Sequence, residues 1–157
     1  MTTIREQMST DVLGYRRPVV SVTSATYTAA ETQSGSLFLF NKVDGIVLTL
    51  PASASIGTFF DVMIETTLTS NVYKIITAAG TELLVGQITG SDTDTGNATI
   101  AWPGLVGSSY IAVSMDKTTT GGIKGDSFKF TKINATTWLC EGHVNNNGTV
   151  ATPFSAS

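Results

Sequence analysis

Residues 36–51 read SLFLFNKVDGIVLTLP, and this stretch decides the fold class. Leu37 and Leu39 alternate with Phe38 and Phe40; Ile46, Leu48 and Leu50 alternate with Val47 and Thr49. A period of two sends successive side chains to opposite faces of a strand. Between the runs stands Asp44-Gly45, a pair suited to the positive φ of a two-residue type I′ turn. Asn41 permits a longer turn. Pro51 has no N–H to give a ladder and ends the second run. The expectation is a β-hairpin.

The same grammar extends outward. Strand-like runs are VVSVT (19–23), TFFDVMIET (58–66), VYKIITA (72–78), ELLVGQI (82–88), ATIAW (98–102), SSYIAVSM (108–115), DSFKFTKI (126–133) and TTWLCEGHV (136–144). Ser70-Asn71, Pro103-Gly104 and Asn134-Ala135 read as turns, and GSDTDTGN (90–97) and DKTTTGG (116–122) as loops. Alternation puts Phe60, Val62 and Ile64 on one face, and Phe128 and Phe130 on another, joined by Lys132. Trp138, Cys140 and Gly142 share one face of their run; Thr137, Leu139, Glu141 and His143 share the other. Few connections are long enough for a crossover helix, so parallel pairing is not expected. The fold class is therefore expected to be all-β: an antiparallel β-sandwich or barrel of jelly-roll-like type, with about ten short strands and no internal repeat.

Composition agrees. The 157 residues suit one domain. Charged residues make up 13% of the chain, against roughly 25% in ordinary domains. Thr, Ser, Gly and Asn take their place, and β-branched Thr suits a pleated surface. The net charge of −3 offers no counterion-release energy on a polyanion, so nucleic acid is not an expected partner. Cys140 is the single cysteine, which excludes an intrachain disulfide and a four-Cys zinc site. Arg5 and Glu6 stand where a secretory signal would need an apolar core, and no run approaches the ~18 apolar residues of a membrane helix. Synthesis in a cytoplasm and no membrane partner are the expectations.

Residues 1–18, MTTIREQMSTDVLGYRRP, differ from the remainder. They hold all three arginines, Arg5, Arg16 and Arg17. Ile4, Met8 and Val12 follow a four-residue spacing that Gly14 and Pro18 terminate. So short a helix is marginal alone in water. The segment reads as an arm that orders on a partner surface or as a frayed tail, followed by a single β domain over 19–157 with a polar C-terminal tail.

Reactive constellations are scarce. His143 is the single histidine and no Gly-x-Ser-x-Gly elbow accompanies it. Cys140 beside Trp138 reads as a small buried hydrophobe. Asp92, Asp94 and Asn97 only partly match a calcium loop, whose fifth, sixth and twelfth positions fall here on Gly96, Asn97 and Pro103. TTTGGIKGD (118–126) lacks phosphate-loop spacing and reads as a flexible turn. Sugar binding would rest on Trp102, Tyr110 and Trp138, and Trp138 is expected in the core. No catalytic residue, metal site or cofactor is expected, and the chain reads as a non-enzyme.

SGSLFLFNKVDGIVLTLPASASIGTFFDVMI, preceded by a Thr/Ala-rich loop, resembles small structural proteins of tailed-bacteriophage virions. So does TTTGGIKGDSFKFTKINATTWLCEGHVNNNGTVATPF at the other end, and the likeness spans roughly residues 20–154. Within that group the chain looks most like head decoration (cement) proteins. The resemblance implies a place on the capsid surface of a virion, the major capsid protein as partner, and a homo-oligomer, commonly a trimer. The expected capsid-facing residues are Ile4, Arg5, Met8, Leu13, Tyr15, Arg16 and Arg17 of the arm, which lies largely outside the likeness. Arginine suits such contacts because its planar fork pairs bidentately with carboxylates. The alternative expectation is a tail, fibre or adhesin module that binds a host surface.

Overall fold

The computed structural model describes residues 16–78, 80–94 and 98–157. Its twelve strands form two sheets packed face to face. They are β1 (Val19–Val22), β2 (Thr26–Thr28), β3 (Leu37–Phe40), β4 (Ile46–Thr49), β5 (Phe59–Ile64), β6 (Tyr73–Ile76), β7 (Leu83–Asp92), β8 (Thr99–Gly104), β9 (Ala112–Met115), β10 (Ser127–Asn134), β11 (Thr137–Asn146) and β12 (Phe154–Ser155). The seven-stranded sheet runs β1-β3-β5-β10-β11-β7-β8, and the five-stranded sheet runs β12-β9-β6-β4-β2. The chain is an all-β sandwich, with mixed rather than wholly antiparallel pairing. The pairs β1–β3, β3–β5, β2–β4, β4–β6 and β7–β11 are parallel.

The parallel pairs arise without helices. The chain lays a strand in the large sheet, arches over to the small one, lays a second strand, and returns. It does so three times, as β1–β2, β3–β4 and β5–β6, and the three rungs stack in parallel. This is a structural repeat that sequence identity does not reveal. It also revises the opening stretch: β3 and β4 lie in different sheets, so Asp44-Gly45 turns an arch between layers and not a hairpin. The positive φ read from the sequence is present, at +100° for Gly45.

Stacked arches explain that glycine. Thr69 N–H donates to Val43 O (2.7 Å), Asn71 Nδ2 to Asp44 O (2.8 Å) and Thr66 Oγ1 to Asn41 Oδ1 (2.7 Å). The Tyr73 hydroxyl lies 2.7 Å from both Lys42 O and Thr66 O, clamping arch 41–45 to arch 65–72. A Cβ on Gly45 would stand 2.7 Å from Val72 O. Gly45→Val is therefore expected to cost about 2–4 kcal/mol, from forbidden φ together with a backbone clash. Thermal unfolding measures it, and an unchanged Tm would mean that the arches are not held this closely.

The core is aromatic. Tyr27, Phe38, Phe60 and Trp138 form a chain with ring centroids 5.6, 5.6 and 6.2 Å apart, and Phe40 packs on Tyr73 at 5.2 Å. Phe38, Phe40, Phe60, Val62, Ile64, Trp138 and Cys140 are all buried on the faces that alternation assigns them. Three local readings change. Pro103-Gly104 lies within β8, an edge strand, where a proline is tolerated. The β10–β11 hairpin turns at 135–136, one residue later than expected. The C-terminal tail is part of the sandwich: Phe154 is 4% exposed, pairs with Val113 through β12 and stacks on Tyr110 at 5.3 Å.

Candidate functional surface

The outer face of the large sheet carries what the chain has of exposed charge in register. One cross-strand row reads Val19, Leu37, Asp61, Lys129, Glu141, Gln87. The next reads Ser21, Leu39, Met63, Ser127, His143, Thr89. Opposite charges directly across a ladder attract weakly each time. Arg17 reaches over Leu37 to place Nη2 2.5 Å from Asp61 Oδ2, which extends the alternation to plus, minus, plus, minus. Lys129 Nζ also sits 5.7 Å from the Phe59 ring centroid. An open groove of about 430 Å³ runs between these side chains, bounded by Arg17, Asp61, Met63, Lys129, Glu141 and His143. Its charges alternate in sign and Arg17 is paired with Asp61, so it favours no single ligand charge and suits a surface with its own alternating charges.

Of the expected capsid-facing residues, Arg16 and Arg17 are described and exposed. Ile4, Arg5, Met8, Leu13 and Tyr15 lie outside the described residues. Arg17 is the one that the structure ties to the body. His143 is exposed on the outer face, across the ladder from Ser127 and Thr89. Among the described residues no hydrogen bond joins it to a hydroxyl or a carboxylate, so no nucleophile–base pair is assembled there. Cys140 is buried, and that burial pushes its thiol pKa up, opposite to what a reactive thiolate needs.

The loops are more ordered in their bonding than their composition suggests. Asp116 accepts hydrogen bonds from Thr118 N–H (2.9 Å), Thr120 N–H (3.0 Å) and the Thr119 hydroxyl (2.6 Å). Burial pushes its pKa up, but the bonds from Thr119, Thr120 and Thr118 outweigh this and hold it at about 2. Segment 118–126, expected to be a flexible turn, is thus folded around one carboxylate and closed by a second. Asp126 is fully buried and accepts from Gly122 N–H, Ile123 N–H, Asn145 N–H and Asn145 Nδ2 at 2.8–3.0 Å. Burial leaves its pKa raised despite those donors. Asp92 Oδ1 accepts from Asp94 N–H in a local turn, whereas Asp94 Oδ2 accepts from Gly148 N–H in the distant C-terminal segment. Asn97 lies outside the described residues. Among the described residues no three His, Cys, Asp or Glu side chains gather as a metal site would require, and no helix is long and apolar enough to cross a membrane. Trp138 is buried, and Trp102 and Tyr110 are half-buried, so no flat aromatic platform faces solvent at those three positions.

Sequence reasoning missed the buried polar cluster under the β10–β11 hairpin. Lys132 has a fully buried side chain, with Nζ 2.7 Å from Glu82 Oε1 and 5.1 Å from the Trp138 ring centroid. Trp138 Nε1 donates to Glu82 Oε2 at 2.9 Å. At this distance the ammonium and the carboxylate make a charge-assisted contact. The period-two run Asp126, Phe128, Phe130, Lys132 is the signal that both buried charges share the inward face. No family model matches the chain, and no curated protein sequence matches it.

Proposed function

We propose that the protein is a non-enzymatic structural component of a tailed-phage virion, which binds the outer surface of the capsid lattice and stabilises contacts between major capsid subunits. The observation that carries this reading is the Arg17–Asp61 pair, which roots the N-terminal arm on the middle of an outer sheet face. A doubly layered aromatic core makes a stiff body that loses little entropy on docking. An arm bearing Ile4, Arg5, Met8, Leu13, Tyr15 and Arg16 can order on contact and reach across a subunit boundary, paying its ordering entropy then. On a repeating lattice, modest contacts become effective through avidity. The likeness of residues 20–154 to decoration proteins favours the head, with a homo-oligomer as the bound form.

Occupancy on undecorated capsids tests this. Removing residues 1–15 leaves Arg17 and the Pro18 carbonyl in place on the body, and is expected to weaken binding about tenfold or more. Arg17→Ala, which unroots the arm, is expected to weaken it less. Undiminished occupancy after truncation would make the arm a passive tail. The second reading, a tail, fibre or adhesin module, draws on the β8–β9 turn, where Leu105 and Val106 stand 62% and 91% exposed. Labelled protein marking the tail or a single vertex, and not the whole head, would favour it.

A further inference from the structure

The first rung is an unguarded end of the sandwich. β1 is the outermost strand of the large sheet and β2 the outermost strand of the small one, so both sheets end together. β1 bonds to β3 through alternate residues: Leu37 N–H donates to Pro18 O, and Asn41 N–H to Val22 O. Pro18, Val20 and Val22 therefore face β3, and the N–H and C=O of Val19 and Ser21 point away from it. In β2, Val47 N–H donates to Ala25 O and Ala29 N–H donates to Thr49 O. Ala25, Tyr27 and Ala29 face β4, and the backbone groups of Thr26 and Thr28 point away. No described segment pairs with either free edge.

Exposed edges are ordinarily blunted with charge, proline or brevity. The opposite end of the molecule follows that rule, with Pro103 inside β8 and β12 only two residues long. The first rung is also short, with four residues in β1 and three in β2, but it lacks the other two devices. Residues 19–30, VVSVTSATYTAA, contain no charged residue and no proline. Val19 is 56% exposed, and the inward-facing Val20 and Tyr27 are only partly covered, although Val22 and Ala29 beside them are buried.

We infer that this end joins a second copy of the chain across a two-fold axis, extending both sheets at once. What covers it must supply two strands at the spacing of two packed sheets, and this chain's own first rung has that spacing. Chain counting agrees with one axis. Ser24 is the midpoint of the β1–β2 arch, so Ser21 in the large sheet and Tyr27 in the small one lie the same number of residues from the crossover. Ser21 points both backbone groups outward and can exchange them with Ser21 of a second copy. Thr26 and Thr28 flank Tyr27 symmetrically, so each can pair with the other's counterpart about the same axis. The pairing is antiparallel and isologous, and an uncharged edge meets itself without repulsion. The inference stands apart from the capsid reading and does not depend on it.

The test is the mass of the full chain in solution by light scattering and native mass spectrometry. The expected result is a particle of twice 16.5 kDa, with slow amide exchange at Ser21, Thr26 and Thr28. Ser21→Lys places like charges opposite each other on the axis and is expected to weaken the dimer about tenfold or more. Its side chain faces solvent, so the monomer should keep the parent's circular dichroism; Thr28→Lys sets the two lysines diagonally across the axis on the small sheet and serves as the second variant if Ser21→Lys fails to fold. A chain that stays monomeric at about 100 μM, a trimer, or a dimer indifferent to both lysines would overturn the inference.

Discussion

Glu82→Gln is expected to destabilise the protein by about 3–5 kcal/mol, the usual consequence of stripping the partner from a buried charge. The amide keeps an acceptor for Trp138 Nε1, so the change isolates the charge itself. Lys132, whose side chain has no exposed surface, is left with an uncompensated ammonium against the Trp138 ring. A domain of this size shifts by about 2–4 °C per kcal/mol, which gives a Tm drop of roughly 6–20 °C. Adding Lys132→Met removes the stranded charge and restores a long apolar side chain. The double variant should return to within about 1 kcal/mol of the parent, because a buried pair and a hydrophobic replacement of similar volume are often equivalent in energy. Acid acts on the same contact. Burial pushes the Glu82 pKa up, the Lys132 and Trp138 contacts more than offset it, and the result lies below the ordinary 4.5. A lowered folded-state value makes this contribution fully present above about pH 4.5 and progressively lost as pH falls through the folded pKa. The parent should show that acid loss and the Glu82→Gln variant should not. A single variant that melts with the parent would mean that the Lys132 charge is not confined as the structure places it.

The face assignments were legible because a strand's period of two depends only on local geometry. Phe38, Phe40, Phe60, Val62, Trp138 and Cys140 are buried as alternation requires, and Leu39, Glu141 and His143 face outward. Pairing partners were not legible, because they depend on where a turn sends the chain. Asp44-Gly45 specifies a positive φ and a reversal of direction, and both a hairpin and an arch satisfy that. What selects the arch is burial. Phe38 and Phe40 point in from the large sheet, while Ile46 and Leu48 point in from the small one, and each set covers the other. A hairpin would have placed all four on one face with nothing opposite them. Once the first pair arches, the second and third stack on it in parallel, and no helix is needed to bring the chain back.

The candidate surface was partly legible. Arg16 and Arg17 stood out because arginine is confined to residues 1–18 and absent from the body that follows. That Arg17 would meet Asp61 requires β1, β3 and β5 to be neighbours in one sheet, and so depends on the arches. The row Asp61–Lys129–Glu141 joins residues from three separate strands, and register alone brings them together. Asp126 had a local signal, its even spacing with Phe128, Phe130 and Lys132. An Asp that follows Gly, as Asp126 follows Gly125, has the same local pattern as a turn residue. Here the same carboxylate gathers four donors and ties segment 122–126 to β11.

Gly86→Ala is expected to have an effect as large as any core truncation, although it adds one methyl group. Gly86 sits in the middle of β7, opposite Cys140 in the parallel ladder to β11. Its φ is +131°, a region that L side chains rarely adopt. A Cβ there would stand 2.1 Å from the Cys140 carbonyl oxygen, which is backbone and has no rotamer to escape into. Either β7 must slide away from β11, or the local backbone must revert to ordinary extended geometry and lose its register. Both routes disturb Leu84 and Ile88, which β7 contributes to the core, and Leu84 N–H, which donates to Tyr110 O at 2.7 Å. The expected cost is about 3–5 kcal/mol, from strain of about 1–3 kcal/mol together with the packing loss. Gly57→Ala separates the two contributions, since its φ is +93° and nothing lies within 4 Å of the added carbon. That variant should lose only the strain. If both variants melt together, the Cys140 contact carries no energy and β7 is not held against β11 at this distance; if Gly86→Ala alone drops by a further 2 kcal/mol or more, the centre of the large sheet is closed by the absence of a single side chain.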